Sequence, residues 1–205
     1  MSDAVVHLID DDDAVRQALG FLLMASGFAV RAYESAAGFV ERLGSAQAGC
    51  VVTDVRMPGV DGLELLRILK ARRARLPVVV MTGHGDVALA VEAMKAGAVD
   101  FLEKPFDDQR FLAAVRLALD RQAHDARRDE EAAAIQLRLD ALSAREREVL
   151  DGLVAGQPNK TIAYDLNISP RTVEAHRANV MAKMGAANLS DLLRMALAAR
   201  QAAGE

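Results

Sequence analysis

Residues 5–9, 28–33, 50–54, 78–82 and 99–102 are five short apolar runs, most of them rich in Val. Each is followed by a stretch with apolar residues at helical spacing, at roughly 14–26, 35–43, 62–73, 86–96 and 107–121. Strand and helix alternating five times restrict the first 120 or so residues to a parallel sheet with helices packed on both faces. In a parallel sheet every strand's C-terminal end emerges at one edge, and the crossovers are expected to be right-handed. After residue 121 the strands stop. Residues 121–140 are rich in Arg, Asp, Glu, Ala and Gln and lack Gly and Pro, which predicts a charged helical linker. Helical patterns at 143–154, 158–166, 170–184 and 188–201 then predict a small all-α second domain. The expected division is 1–121, a linker over 122–140, and 141–205.

Charge separates the two halves. The whole chain has 25 Lys and Arg against 29 Asp and Glu. Residues 142–205 hold eight basic and seven acidic side chains, leaving a net −5 on the preceding 141. Bulk charge therefore predicts no strong non-specific pull toward nucleic acid or acidic lipid. The longest uncharged run, 17–30, is shorter than a membrane helix and contains two Gly. An N-terminus that runs directly into acidic residues does not resemble a secretion signal. The expectation is a cytoplasmic protein without membrane contact. The single Cys50 excludes an internal disulfide.

The first half concentrates its chemistry at strand ends. Asp10 and Asp11 follow the first strand, Asp54 ends the third, Thr82 ends the fourth and Lys104 follows the fifth. Ligands of open α/β sheets bind at that edge, where the strand order reverses. Carboxylates crowded there repel one another unless a cation enters, and all-oxygen donors suit Mg²⁺. An ionised carboxylate beside such a cation can attack a phosphoryl group, with Lys104 and Thr82 suited to its oxygens. Asp12 and Asp13 are read instead as a helix N-cap and a first-turn acid. His84 is read as structural, and neither His7 on its strand nor His124 in the linker suggests a metal. In the second half, Ser169-Pro170 is a helix start, and Val173, His176, Val180 and Met184 share one face of the helix that follows. The break at 167–169 has helix-turn-helix length.

Four segments together resemble a receiver domain of two-component signalling: Leu8-Ile9-Asp10-Asp11, Thr53-Asp54-Val55-Arg56-Met57-Pro58-Gly59, Met81-Thr82-Gly83 and Glu103-Lys104-Pro105-Phe106. The resemblance implies a flavodoxin-like (βα)5 fold and Asp54 as phosphoacceptor. Mg²⁺ would be held by Asp11, Asp54 and the Arg56 carbonyl, with Asp10 acting through water. Thr82 and Phe101 would form the switch; Phe101 stands where Tyr or His is common, which excludes a hydroxyl-based version. A cis bond before Pro105 is also implied. Leu142-Ser143-x-Arg145-Glu146, Gly156-x-x-Asn159-Lys160-x-Ile162-Ala163 and Ile168-Ser169-x-x-Thr172-Val173-x-x-His176 resemble a LuxR-type helix-turn-helix. The order of the two is similar to the FixJ/NarL class and leans toward FixJ-like regulators.

Carried over position by position, Glu174, Ala175 and Ala178 would face base edges, with Arg177 beside them. Lys160, Thr161, Arg171, Thr172 and Lys183 would hold phosphates. The class implies a sensor histidine kinase, double-stranded promoter DNA, a homodimer formed on phosphorylation and contact with RNA polymerase. The face formed by helix 86–96, strand 99–102 and helix 107–121 is expected to repack in response to phosphorylation, with Val87, Val91, Lys95, Asp100, Phe106 and Phe111 around this responding face, some of them as core. The function implied is a transcription regulator with at most slow hydrolysis of its own phosphoaspartate. A haloacid-type hydrolase is disfavoured by Arg56, which stands where a second catalytic carboxylate would be needed. A regulator indifferent to phosphorylation is the other rival.

Overall fold

The computed structural model describes residues 4–83 and 87–203. His84, Gly85 and Asp86, the first of them read above as structural, lie outside the described residues, as does the Val87 side chain. The chain divides into two compact units between Asp125 and Ala126.

The first unit carries strands β1 (Val5–Ile9), β2 (Ala29–Tyr33), β3 (Gly49–Asp54), β4 (Val78–Thr82) and β5 (Asp100–Glu103). They alternate with helices α1 (Asp13–Ala25), α2 (Ala36–Glu41), α3 (Gly62–Ala71), α4 (Val87–Ala96) and α5 (Asp108–Asp140). All four strand pairings are parallel, in the order β2-β1-β3-β4-β5. Because side chains alternate across a strand, the sheet builds two cores. Ile9, Val51, Val78 and Val80 pack with Phe39, Leu65, Leu66 and Ala93 from α2, α3 and α4. Val6, Leu8, Val52, Val79, Met81 and Leu102 pack on the other face with Leu23, Phe111 and Val115 from α1 and α5. Burial on both faces explains why the three central strands, β1, β3 and β4, read as near-continuous apolar runs.

Local signals set the helix starts. Asp12 caps α1, accepting from the amides of Ala14 (2.8 Å) and Val15 (3.3 Å). Ser35 and Asp61 cap α2 and α3 in the same manner. Helix α2 is shorter than its apolar pattern suggests, because a 3₁₀ turn over Leu43–Ser45 takes up the chain before β3. Residues 122–140 continue α5 without interruption, and Ile135 and Leu139 pack in the second unit's core.

That unit contains α6 (Ala144–Val154), α7 (Asn159–Asp165), α8 (Pro170–Met184) and α9 (Leu189–Ala203). Val149, Leu153, Ile162, Val173, Val180, Met184 and Leu192 form its centre. Helix α8 is fixed at both ends. Ser169 caps its start, and Gly185 closes it with φ +66°, a conformation that costs Gly little. His176 completes the expected inward face less fully than its neighbours: it is partly exposed, and its buried Nδ1 has no partner.

Two glycines give opposite expectations. A Cβ on Gly62, the first residue of α3, would lie 2.3 Å from the Asp54 carbonyl oxygen. Gly62→Ala is therefore expected to destabilise the first unit by about 1–3 kcal/mol. Gly20 lies inside α1 with nothing within 4 Å of an added Cβ, so Gly20→Ala should stabilise by about 0.5–1 kcal/mol. Urea titration of both variants checks the two signs together.

Candidate phosphoacceptor site and nucleic-acid interface

Three strand ends converge on one side chain. The register sets Ile9 beside Thr53, Asp54 beside Met81 and Thr82 beside Glu103, so the residues following β1 and β5 flank the end of β3. The Lys104 ammonium lies 2.8 Å from Asp10 Oδ2 and 2.8 Å from Asp54 Oδ1. Both carboxylates are almost wholly buried, while Lys104 remains partly open. Burial by itself would lower the pKa of Lys104, but the hydrogen bonds it donates to Asp10 and Asp54 outweigh it and hold the ammonium above its ordinary value. The Lys104–Pro105 bond is cis.

Backbone amides complete the arrangement. Asp54 Oδ2 accepts from the Arg56 amide at 2.8 Å, and Asp10 Oδ1 from the Asp12 amide at 3.0 Å. Asp11 stands exposed at the rim. Thr82 is fully buried, yet its Oγ1 has no hydrogen-bond partner. An orphaned hydroxyl of this kind is costly, and beside an aspartate it is suited to an incoming oxyanion. Phe101 is half-buried against the core on the α2–α4 side.

The donors fit a hard cation. Among the described residues, no group of three or more His, Cys, Asp or Glu side chains is placed to hold a metal. A cation at this edge would draw on one or two carboxylates, the Arg56 carbonyl and water, which is the coordination Mg²⁺ accepts.

Sequence reasoning missed several partners. Arg16 donates to the Asp10 carbonyl (2.8 Å) and pairs with Asp13, bracing the loop that carries the acids. Its spacing three residues after Asp13 was the available signal. Asp100 is forked by Arg110 through bonds of 2.7 and 2.8 Å. Of the responding-face residues, Phe111 is core and stacks on Phe106, while Val91 and Lys95 are exposed. His7 is buried, bonded to the Gln47 carbonyl, and burial pushes its pKa down. Burial raises Cys50 to about 12, so its thiol is inert.

In the second unit, α7 and α8 are joined by a short turn in which Asn167 has φ +53°. Arg171, Glu174, Ala175 and Ala178 lie exposed along α8, with Thr172 and Arg177 partly so. Lys160 and Thr161 are exposed on α7. The Thr172 hydroxyl already pairs with Ser169 Oγ at 2.8 Å. Lys183, exposed like Lys160, Thr161 and Arg171, also has a partner within the unit: its ammonium lies 2.7 Å from buried Glu146 and 3.3 Å from the Ala141 carbonyl. It fastens α8 to α6. Arg138, near the end of α5, donates to the Met184 carbonyl at 3.0 Å and so caps the C-terminus of α8.

Comparison with known proteins agrees with both units. Residues 6–116 match the model for the response regulator receiver domain, and residues 140–196 match that for bacterial regulatory proteins of the luxR family. The transcriptional regulatory protein FixJ of Azorhizobium caulinodans is 61% identical over 95% of this chain and 92% of its own length. FixJ of Rhizobium meliloti is 52% identical over 97% of each. Among solved structures, the response regulator StyR superposes with a TM-score of 0.81 at 38% identity, covering 95% of this chain and 98% of its own. Full-length FixJ from B. japonicum has a TM-score of 0.61 at 50% identity, covering 98% and 99%.

The Glu146 pair gives a pH signature. Lys183 first, then the Ser143 amide, hold the Glu146 carboxyl down from 4.5 to about 2. A depressed carboxyl pKa stabilises the fold above the unfolded value and loses that effect as pH falls toward the folded one. Glu146→Gln should therefore melt below wild type at pH 7, and the gap should close between pH 4.5 and about 2. Calorimetry of the full chain across that range measures it.

Proposed function

The chain belongs to the two-component response regulators that join a receiver domain to a LuxR-type DNA-binding domain, and from that premise we propose that phosphorylation of Asp54 controls its binding to promoter DNA. The observation that carries the reading is Lys104 bridging Asp10 and Asp54 beside the unpartnered hydroxyl of Thr82.

In this reading, an Asp54 carboxylate oxygen attacks the phosphorus of a phosphohistidine on a sensor histidine kinase. The P–O bond forms, the P–N bond breaks, and the imidazole leaves. Asp11, Asp54 and the Arg56 carbonyl would hold Mg²⁺, with Asp10 acting through water. When bound, the ion supplies positive charge that offsets the crowded carboxylates and phosphoryl oxygens. Lys104 keeps Asp10 while turning from Asp54 to a phosphoryl oxygen. Thr82 donates the hydrogen bond its hydroxyl lacks, and Phe101 follows into the space it leaves. A few kcal/mol of differential stabilisation suffices for such a switch.

Residues 1–121 then act as the phosphoacceptor domain, 122–140 as a helical linker whose last turns pack into the second unit, and 141–205 as the DNA-binding domain, in a cytoplasmic homodimer formed on phosphorylation. The exposed residues Glu174, Ala175 and Ala178, with Arg177 beside them, read base edges, while Lys160, Thr161, Arg171, Thr172 and Lys183 hold phosphates. Contact with RNA polymerase would follow on the promoter. Chemistry beyond slow loss of the chain's own phosphoryl group is not part of this function, in keeping with relatives named as transcriptional regulators. Among the described residues no helix is long and apolar enough to cross a membrane.

Intact-mass spectrometry after incubation with acetyl phosphate and Mg²⁺ tests the central step. One phosphoryl adduct is expected on wild type and none on Asp54→Ala. An adduct that survives Asp54→Ala would move the chemistry elsewhere. DNA binding unchanged by phosphorylation would favour the phosphorylation-independent rival.

A further inference from the structure

Tyr164 is 87% exposed, more than any other large apolar side chain among the described residues. Isolated exposed hydrophobics are ordinary, and Phe21 at 72% and Leu137 at 71% are of that kind. Tyr164 differs in three respects. It sits on α7, the first helix of the helix-turn-helix, whose opposite face buries Ile162 and Ala163 in the core. Lys160 and Thr161, four and three residues before it, are also exposed, and residues at those spacings share one helix face. Its hydroxyl makes no hydrogen bond to any described residue. The neighbouring Asp165 carboxylate, which would repel an anion, accepts from Gln157 Nε2 at 3.2 Å.

We infer that Tyr164 is a further DNA contact, its hydroxyl donating to a backbone phosphate in line with Lys160 and Thr161. A tyrosine supplies a donor and a flat apolar body with only two side-chain torsions to immobilise. Phosphate oxygens accept such bonds without regard to sequence. The contact sets affinity and register and adds no base preference. This inference rests on the DNA-binding reading of α7 and α8 given above.

The chain supplies its own probe. It has no Trp and two Tyr, and the other, Tyr33, is buried. In Tyr33→Phe the intrinsic fluorescence therefore reports Tyr164 alone. The DNA used is the duplex that the full chain, treated with acetyl phosphate, recovers from a random-sequence pool. Binding is followed by anisotropy of the labelled duplex. Acrylamide, being uncharged, measures access to the ring without interference from phosphate charge.

DNA is expected to shield Tyr164 from acrylamide. Tyr164→Phe should bind about tenfold more weakly, the loss of one hydrogen bond to a charged acceptor. Because the lost group is neutral, the salt dependence should stay as in wild type, whereas Lys160→Ala should lower its slope by about 0.9. Tyr164→Phe binding as tightly as wild type overturns the inference, and so does a ring that stays open to acrylamide in the complex. The latter result would assign the side chain to a protein partner. Recovery of no duplex by wild type would instead remove the DNA-binding reading itself.

Discussion

An ammonium held between two buried carboxylates is an arrangement that neither sequence neighbours nor a single helix could supply. Lys104 stands 94 residues from Asp10 and 50 from Asp54. They meet because β1, β3 and β5 run parallel and end at one edge, and because β1 lies between β2 and β3, where the strand order turns back. Without Lys104 the two acids would repel across the sheet. With it, the repulsion is partly offset and a cationic donor stands at the edge. Gly62 and Arg16 support this contact from outside, the glycine by letting α3 start against the Asp54 carbonyl, the arginine by holding the Asp10 loop.

The second unit solves a different problem, that of presenting one helix firmly with few basic residues. Helix α8 is capped by Ser169 at its start and by Gly185 and Arg138 at its end, and Lys183 ties it to α6. These contacts gather at its termini and inner face. The exposed positions Arg171, Glu174, Ala175 and Ala178 are left uncommitted. Arg138 belongs to the helix that begins at Asp108 in the first unit, so the last turns of α5 are structural members of the DNA-binding core.

Most of the architecture was legible in the residues. The Val-rich strands and the Asp12 and Ser169 caps act over a few residues, and local pattern captures them. The acids at the strand ends were legible as a group once the parallel sheet was inferred. The partners of individual side chains were not. Lys183 read as an unpaired cation because the carboxylate that engages it, Glu146, lies 37 residues away. The orphaned Thr82 hydroxyl is a property of the packed environment and has no sequence signal. Tyr164 went unnoticed because a helix as short as α7 gives too few positions to tell its inner face from its outer one.

The sheet's two borders are unlike each other. β2 ends the sheet on one side with Arg31 at its centre, and β5 ends it on the other with only four residues, Asp100 and Glu103 at its tips. An open border offers unpaired amides and carbonyls to any passing strand, and charge on it opposes continuous stacking. Arg31 would meet another Arg31 if two β2 borders paired in register, and the acids of β5 would do the same. Opposite borders attract, and pairing of that kind repeats head to tail without closing. The Arg110 fork already neutralises Asp100, and the brevity of β5 leaves little ladder to extend. Charge and brevity at the two borders thus oppose assembly of this chain through its sheet.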